Sequence, residues 1–150
     1  MEKPDDFHFR LCVKHPSLDP LTISKSLNVQ PDFAWGVGDL VGSRMRASTV
    51  WRATLFEGSG AVDFERALDG ILSMLSDRHN VLDQITASGG DLSLTIRTVA
   101  ELQDGKAAEI QLKALFLEAL ATRNIDLVFE VWTNSMPSNE PNDILQRTHP

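Results

Sequence analysis

From Asp63 to Ser76 the apolar residues Phe64, Ala67, Leu68, Ile71, Leu72 and Leu75 recur at steps of three and four. That is the 3.6-residue period of a helix with one buried face. Arg66, Asp69 and Ser76 fall on the opposite side, and Asp63 stands where an N-cap is expected. A helix with so wide an apolar stripe draws its stability from burial against other elements. The rest of the chain is therefore expected to pack around it, and four segments have the period of two that a half-buried strand requires. Phe7, Phe9, Leu11 and Val13 alternate with His8, Arg10, Cys12 and Lys14; Trp51, Ala53 and Leu55 alternate with Val50, Arg52, Thr54 and Phe56. Leu92, Leu94 and Ile96 alternate with Ser93, Thr95 and Arg97; Ile125, Leu127, Phe129 and Val131 stand against Asp126, Glu130 and Trp132.

Between these strands the punctuation predicts further helices. Asp19 is placed as an N-cap, Pro20 suits the first helical position, and Leu18 can staple onto Ile23. Asn28 tolerates the left-handed conformation that ends a helix, which leaves Ile23 and Leu27 turned inward. Val81, Leu82 and Ile85 predict one or two more helical turns before Gly89-Gly90 reverses the chain, and Leu115, Phe116, Ala119 and Leu120 mark a helix ending near Asn124. Gln103 to Lys106 reads as a turn, and Ile110 with Leu112 as a short strand. Residues 30–46 show neither period and read as an irregular connection pinned by Phe33 and Trp35.

The order of elements predicts an α+β two-layer sandwich, a sheet of about four strands with helices packed on one face. Asn28-Val29 and Asn124-Ile125 hint at two related strand-helix-strand halves. The expected organisation is a single domain over residues 1–133, followed by a polar tail, 134–150, with three prolines.

Composition narrows the class of function. Hydrophobic residues at 42% and charged residues at 23% are ordinary globular values. A net charge of −7 argues against general nucleic-acid affinity, which needs Lys and Arg to neutralise phosphates. Cys12 is the only cysteine, so an intrachain disulfide and a cysteine-cluster metal site are excluded. The acidic start and the lack of any apolar run near the roughly 18 residues of a membrane span lead to the expectation of a soluble, cytoplasmic protein without a membrane partner.

In order along the chain, an opening Phe-x-Phe-x-Leu strand is followed by the helix Leu18-Asp19-Pro20-x-x-Ile23-x-x-x-Leu27 and the connection Trp35-Gly36-Val37-Gly38-Asp39. Trp51 then enters the second strand, Leu117 to Ala121 carries Leu-x-x-Leu-Ala, and an apolar last strand ends at Trp132. With these motifs, residues 7–132 resemble a bacterial family known as a domain of unknown function. The resemblance implies no reaction, catalytic residue or cofactor, and it suggests an immunity-like setting.

Gly36, Gly38 and Gly42 have the outline of a phosphate loop but lead into a strand, with no Gly-Lys-Ser/Thr, and read as turn glycines. His8, His15, His79 and His149 do not converge in any metal-ligand spacing and read as solvent-exposed. Asp63, Glu65 and Asp69 are accounted for by the helix dipole, Cys12 reads as a half-exposed strand residue, and Phe33, Trp35 and Trp51 read as loop anchors before pocket lining. No catalytic residue and no metal or other cofactor is predicted.

One surface remains. If helices cover a single face, the opposite face displays Arg10, Arg52 and Arg97 with Glu130 and Trp132, and Trp35 in the irregular connection is a separate binding candidate. Arg and Trp are enriched at binding hot spots, and the ordinary alternative is a solvated face with cross-strand Arg–Glu pairs. A non-enzymatic domain binding a protein partner is the preferred function. A small anionic ligand held by Arg10, Arg52 and Arg97, as a binding module or an enzyme, is the alternative. Oligomeric state is not legible at this level.

Overall fold

The computed structural model describes residues 6–100 and 110–133. Among them the chain forms β1 (Asp6–His15), α1 (Pro20–Leu27), β2 (Phe33–Trp35), β3 (Leu40–Val41), β4 (Arg44–Met45), β5 (Thr49–Ser59) and α2 (Gly60–Asp77). It continues with α3 (His79–Ala87), β6 (Asp91–Ala100), α4 (Ala114–Thr122) and β7 (Ile125–Thr133). The α+β class holds, with five strands rather than about four in the order β2-β5-β1-β6-β7. The fifth is β2, only three residues long and too short to show a period in sequence. It lies within the segment expected to be irregular, and β3 and β4 form a small separate hairpin just after it.

The first four strands of the sheet pair antiparallel, whereas β6 and β7 are parallel. The two strand-helix-strand units are therefore not repeats of each other. What they share is the cap: Asn28 and Asn124 both adopt the left-handed conformation, with φ of 57° and 56°.

The helices lie on one face of the sheet, where Phe7, Phe9, Leu11, Val13, Trp51, Ala53, Leu92, Leu94 and Ile96 are buried. From α2 the stripe Ala67, Leu68, Ile71 and Leu75 is buried against them, while Phe64 and Leu72 are partly covered. Phe64 closes an aromatic cluster with Phe7 and Phe9, at centroid distances of 5.2 and 5.3 Å. The helix starts earlier than the sequence suggests, at Gly60 after Ser59, because Gly60 supplies a φ of +86° at the junction. Asp63 is thus inside the first turn, where its carboxylate accepts the Ser59 backbone N–H.

α1 follows its sequence signals. Asp19 accepts the Leu21 N–H at 2.8 Å, Pro20 opens the helix, and Ile23 and Leu27 are buried. Two arginines tie helix ends together. Arg78 donates to the Leu27 carbonyl at 2.6 Å, and Arg123 donates to the carbonyls of Leu75 and Ala119.

Four expectations are corrected. The β1–β5 register shifts between Phe9 and Arg10, so that Phe9 faces Phe56 and Arg10 faces Thr54, leaving Leu55 as the extra residue of a bulge. Beyond the bulge the alternation inverts. Phe56 accordingly turns from the open face to the helix side, where its ring lies against Gly70 of α2. His15 is also not exposed: it ends β1 on the inner side with 2% exposure. Its Nδ1 accepts the N–H groups of Ser17 and Leu18, so the ring proton is on Nε2 and is donated to Ser88 Oγ at 2.9 Å. Ile110 and Leu112 do not form a strand; Leu112 packs on the core as irregular backbone leading into α4. Along β7, Ile125 and Leu127 are covered, whereas Phe129 and Val131 stay exposed on the helix side because α4 reaches only the first part of the strand. The turn expected at Gln103 to Lys106 and the tail at 134–150 lie outside the described residues.

Truncating Leu68 to Ala should cost on the order of 2–5 kcal/mol, and Leu72→Ala less because Leu72 is only partly covered. Urea midpoints that coincide with the parent for Leu68→Ala would remove α2 from the centre of the core. Gly70→Ala isolates the bulge. Helix propensity alone favours Ala by about 1 kcal/mol, but a Cβ at position 70 would run into the Phe56 ring. Overpacking of that kind costs about 1–3 kcal/mol, so Gly70→Ala should be destabilising and Phe56→Leu should partly rescue it. Stabilisation by Gly70→Ala would place Phe56 back on the open face.

Candidate functional site

The sheet face away from the helices is built from alternate residues of five strands. Arg10 on β1 faces Thr54 of β5 on one side and Thr95 of β6 on the other. Arg52 faces Cys12, and Arg97 faces His8. Each of these two arginines is thus one diagonal step from Arg10, a spacing of about 7–8 Å between side-chain roots. The three strands are adjacent, so the sequence correctly places Arg10, Arg52 and Arg97 in one stripe across the middle of the open face.

Their guanidinium groups do not converge. Arg52 leans toward the β2 edge, with Cζ 4.8 Å from the centroid of the Phe33 ring. Arg97 leans the other way, 4.8 Å from the Trp132 ring, with Nε 3.9 Å from Glu130 Oε1. Parallel pairing of β6 and β7 sets up the latter contacts, because Arg97 stands opposite Glu130 and Val99 opposite Trp132. Divergence is the electrostatically reasonable outcome. Arg52 and Arg97 each gain about 0.5–1 kcal/mol from an exposed aromatic face and are separated from like charge. The Arg97–Glu130 pair, exposed on both sides, adds at most about 1 kcal/mol.

Trp35 belongs to this face rather than to a loop over the core. Phe33 and Trp35 pair with Arg52 and Val50 of β5, which puts both rings at the β2 edge of the open side, 4.6 Å apart and edge to face. Trp51 is on the other side of the sheet, fully buried, with its indole N–H donating to Ser24 Oγ at 3.0 Å. The three aromatics grouped by sequence are therefore separated by the sheet itself.

Arg46 was not singled out from sequence. Its Cζ lies 3.8 Å from the Trp35 centroid. The hairpin brings it there, with the Arg46 N–H donating to the Asp39 carbonyl and the Gly38 N–H to the Arg46 carbonyl. Gly38 and Gly42 have φ of 90° and 66° and shape the turns of this hairpin, so two glycines of the three-glycine pattern are turn glycines. The Arg44-Met45-Arg46 alternation was the available signal, but two-residue strands carry no readable period.

The open face is thus framed by two arginine–aromatic clusters, Arg52 and Arg46 on Phe33 and Trp35 at one edge and Arg97 on Trp132 at the other. Between them lie Arg10, Cys12, Thr54 and Ser93. A cleft of about 310 Å³ lies elsewhere, at the end of β1 and β5 beside the start of α2, where Asp6, His8, Glu57 and Asp63 line it. None of the three arginines borders that cleft. His8 Nδ1 approaches Glu57 Oε2 at 3.8 Å there, with both side chains exposed. Among the described residues, no three His, Cys, Asp or Glu side chains group closely enough to hold a metal ion. Among the same residues no helix is long and apolar enough to cross a membrane.

No curated protein and no solved structure matches the chain. A family model matches residues 5–134, which takes in every element of the sheet and its helices, and the chain accordingly belongs to the family described as domain of unknown function DUF4279.

Proposed function

We propose that this chain is a non-enzymatic interaction domain that binds a protein partner across the open face of its sheet. The observation that carries this reading is the framing of that face by arginine–aromatic clusters at both edges. Arg, Trp and other aromatics are the residue types that dominate binding energy when a partner excludes water from them. Stacked arginines are also partly ordered beforehand, which lowers the conformational entropy lost on binding.

The distribution of the arginines favours a broad partner over a small anion. A small carboxylate or phosphate would require Arg10, Arg52 and Arg97 to aim at one point, whereas Arg52 and Arg97 are drawn to opposite edges. An acidic protein surface can meet them separately, each arginine offering its remaining donors. An immunity-like role, neutralising a partner by covering its surface, is consistent with this mode of contact.

Changing Arg10, Arg52 and Arg97 together to Gln tests the reading. The parent chain immobilised in lysate of its native host should retain a protein partner, and the triple variant should retain it about 30-fold less well or worse, the equivalent of one 2 kcal/mol hot spot. Lys25→Gln on exposed α1 removes a positive charge on the helix side and should leave capture intact. Circular dichroism and thermal midpoints report whether the triple variant is folded. Full capture by a folded triple variant would exclude the open face.

A further inference from the structure

The second unexplained surface is the β7 edge. Among the described residues β7 pairs on one side only, with β6, although it is nine residues or about 30 Å long. Edge strands of that length are ordinarily blunted by charged side chains, above all lysine, by proline, by a bulge or by a covering element, and β7 has of these only Asp126 and Glu130 on its open side. β7 carries no lysine and no proline, and its ladder with β6 runs without a register shift. Its helix side is apolar, with Phe129 44% and Val131 56% exposed, and on the open side Val128 and Trp132, 41% and 53% exposed, alternate with the acids Asp126 and Glu130. Leu115 and Leu117 of α4, the helix that packs on β7, are exposed as well. The opposite edge is different, since β2 has only three residues.

We propose that β7 is a dimerisation edge, pairing antiparallel with β7 of a second copy to give a continuous ten-stranded sheet. The charge pattern and the length of the strand together select this occupant and its register. A two-fold axis perpendicular to the sheet makes one residue face its own copy and keeps the helices of both copies on the same side. With Phe129 at the axis the whole strand is used. Leu127 then faces Val131, Val128 faces Glu130 and Asp126 faces Trp132, so apolar side chains meet on the helix side and neither acid opposes another. Moving the axis to Val128 sets Asp126 against Glu130, and moving it to Glu130 sets that carboxylate against itself. Like charges directly opposite are destabilising. Axes at Leu127 or Val131 also keep the acids apart but leave part of the strand unpaired, so the centred register is the one that uses the whole edge without opposing like charges. The exposed leucines of α4 would lie beside the same seam.

This inference rests on the edge and not on the open-face reading, although the two meet at Trp132. In the dimer the Arg97–Trp132 cluster moves from the rim of one sheet to the middle of a doubled face.

The full chain is to be examined by light scattering coupled to size-exclusion chromatography at micromolar concentrations. A mass of two chains is expected. Val131→Lys, a change at a half-exposed position, should halve the mass with the circular dichroism spectrum retained. In a Cys12→Ser background, Phe129→Cys should form an interchain disulfide on oxidation, while Asp126→Cys, facing Trp132 of the other copy, should not. A monomer throughout would overturn the proposal and leave the edge for the chain's own tail or a foreign strand. A dimer indifferent to Val131→Lys would place the contact on another surface. A dimer broken by Val131→Lys in which Asp126→Cys crosslinks and Phe129→Cys does not would overturn the centred register. Loss of partner capture by the triple arginine variant with the dimer intact would leave this proposal untouched, so the two can fail separately.

Discussion

Burial of the α2 stripe against the inner face of β1 is the interaction on which the rest depends. β1 is the middle strand of five, hydrogen-bonded on both sides, and its inner residues Phe7, Phe9, Leu11 and Val13 are all buried. Phe64 from α2 locks onto the first two of them through edge-to-face and tilted ring contacts. Neither element is stable alone: the helix needs an apolar partner, and a strand needs neighbours on either side to satisfy its backbone. Once they meet, α1 and α4 are left to cover the flanks of the same face. Arg78 at the end of α2 then donates to the C-terminal carbonyl of Leu27 in α1, and Arg123 at the end of α4 donates to that of Leu75 in α2, where those groups would otherwise lack partners.

Covering one face leaves the other to find its own compensation. The open side is polar by composition, yet its arginines are not simply solvated. Arg52 and Arg97 spread away from Arg10 and from each other onto aromatic rings at the two edges, because stacking and charge separation act in the same direction there. The face thereby becomes a pair of partly ordered clusters on either side of Arg10 and the small residues around it, a better arrangement for a broad contact than for a point ligand.

The two edges of the sheet are managed unequally. At β2 the pairing is short, and Asp32 closes it by accepting from both the backbone N–H and the hydroxyl of Thr54. At β7 the strand is long, apolar toward the helices and mixed apolar and acidic toward the open face. The difference follows from how far the helices reach, since α4 covers Ile125 and Leu127 but not Phe129 or Val131. An edge with this composition is selected against in a strand that must remain solitary.

The sequence by itself determined the elements whose side chains repeat over several turns or several strand residues: β1, α1, α2, β6, α4, β7, most of β5, and the Asp19 and Asn28 caps. It also determined that Arg10, Arg52 and Arg97 share a face, because alternation within each strand is a local property of the pleat. Strand order, the parallel sense of β7 and the existence of β2 were decided only by the tertiary structure, since they depend on pairing between residues far apart in the chain. The same holds for the bulge at Leu55, which reverses Phe56 without leaving any mark in the local pattern. His15 was misplaced because its burial rests on Ser17, Leu18 and Ser88, partners that satisfy both ring nitrogens and that no spacing rule brings together. The directions of the arginine tips belong to the same class. A side chain's root is fixed by its own strand, but its end goes where neighbouring strands supply an aromatic face or an opposite charge.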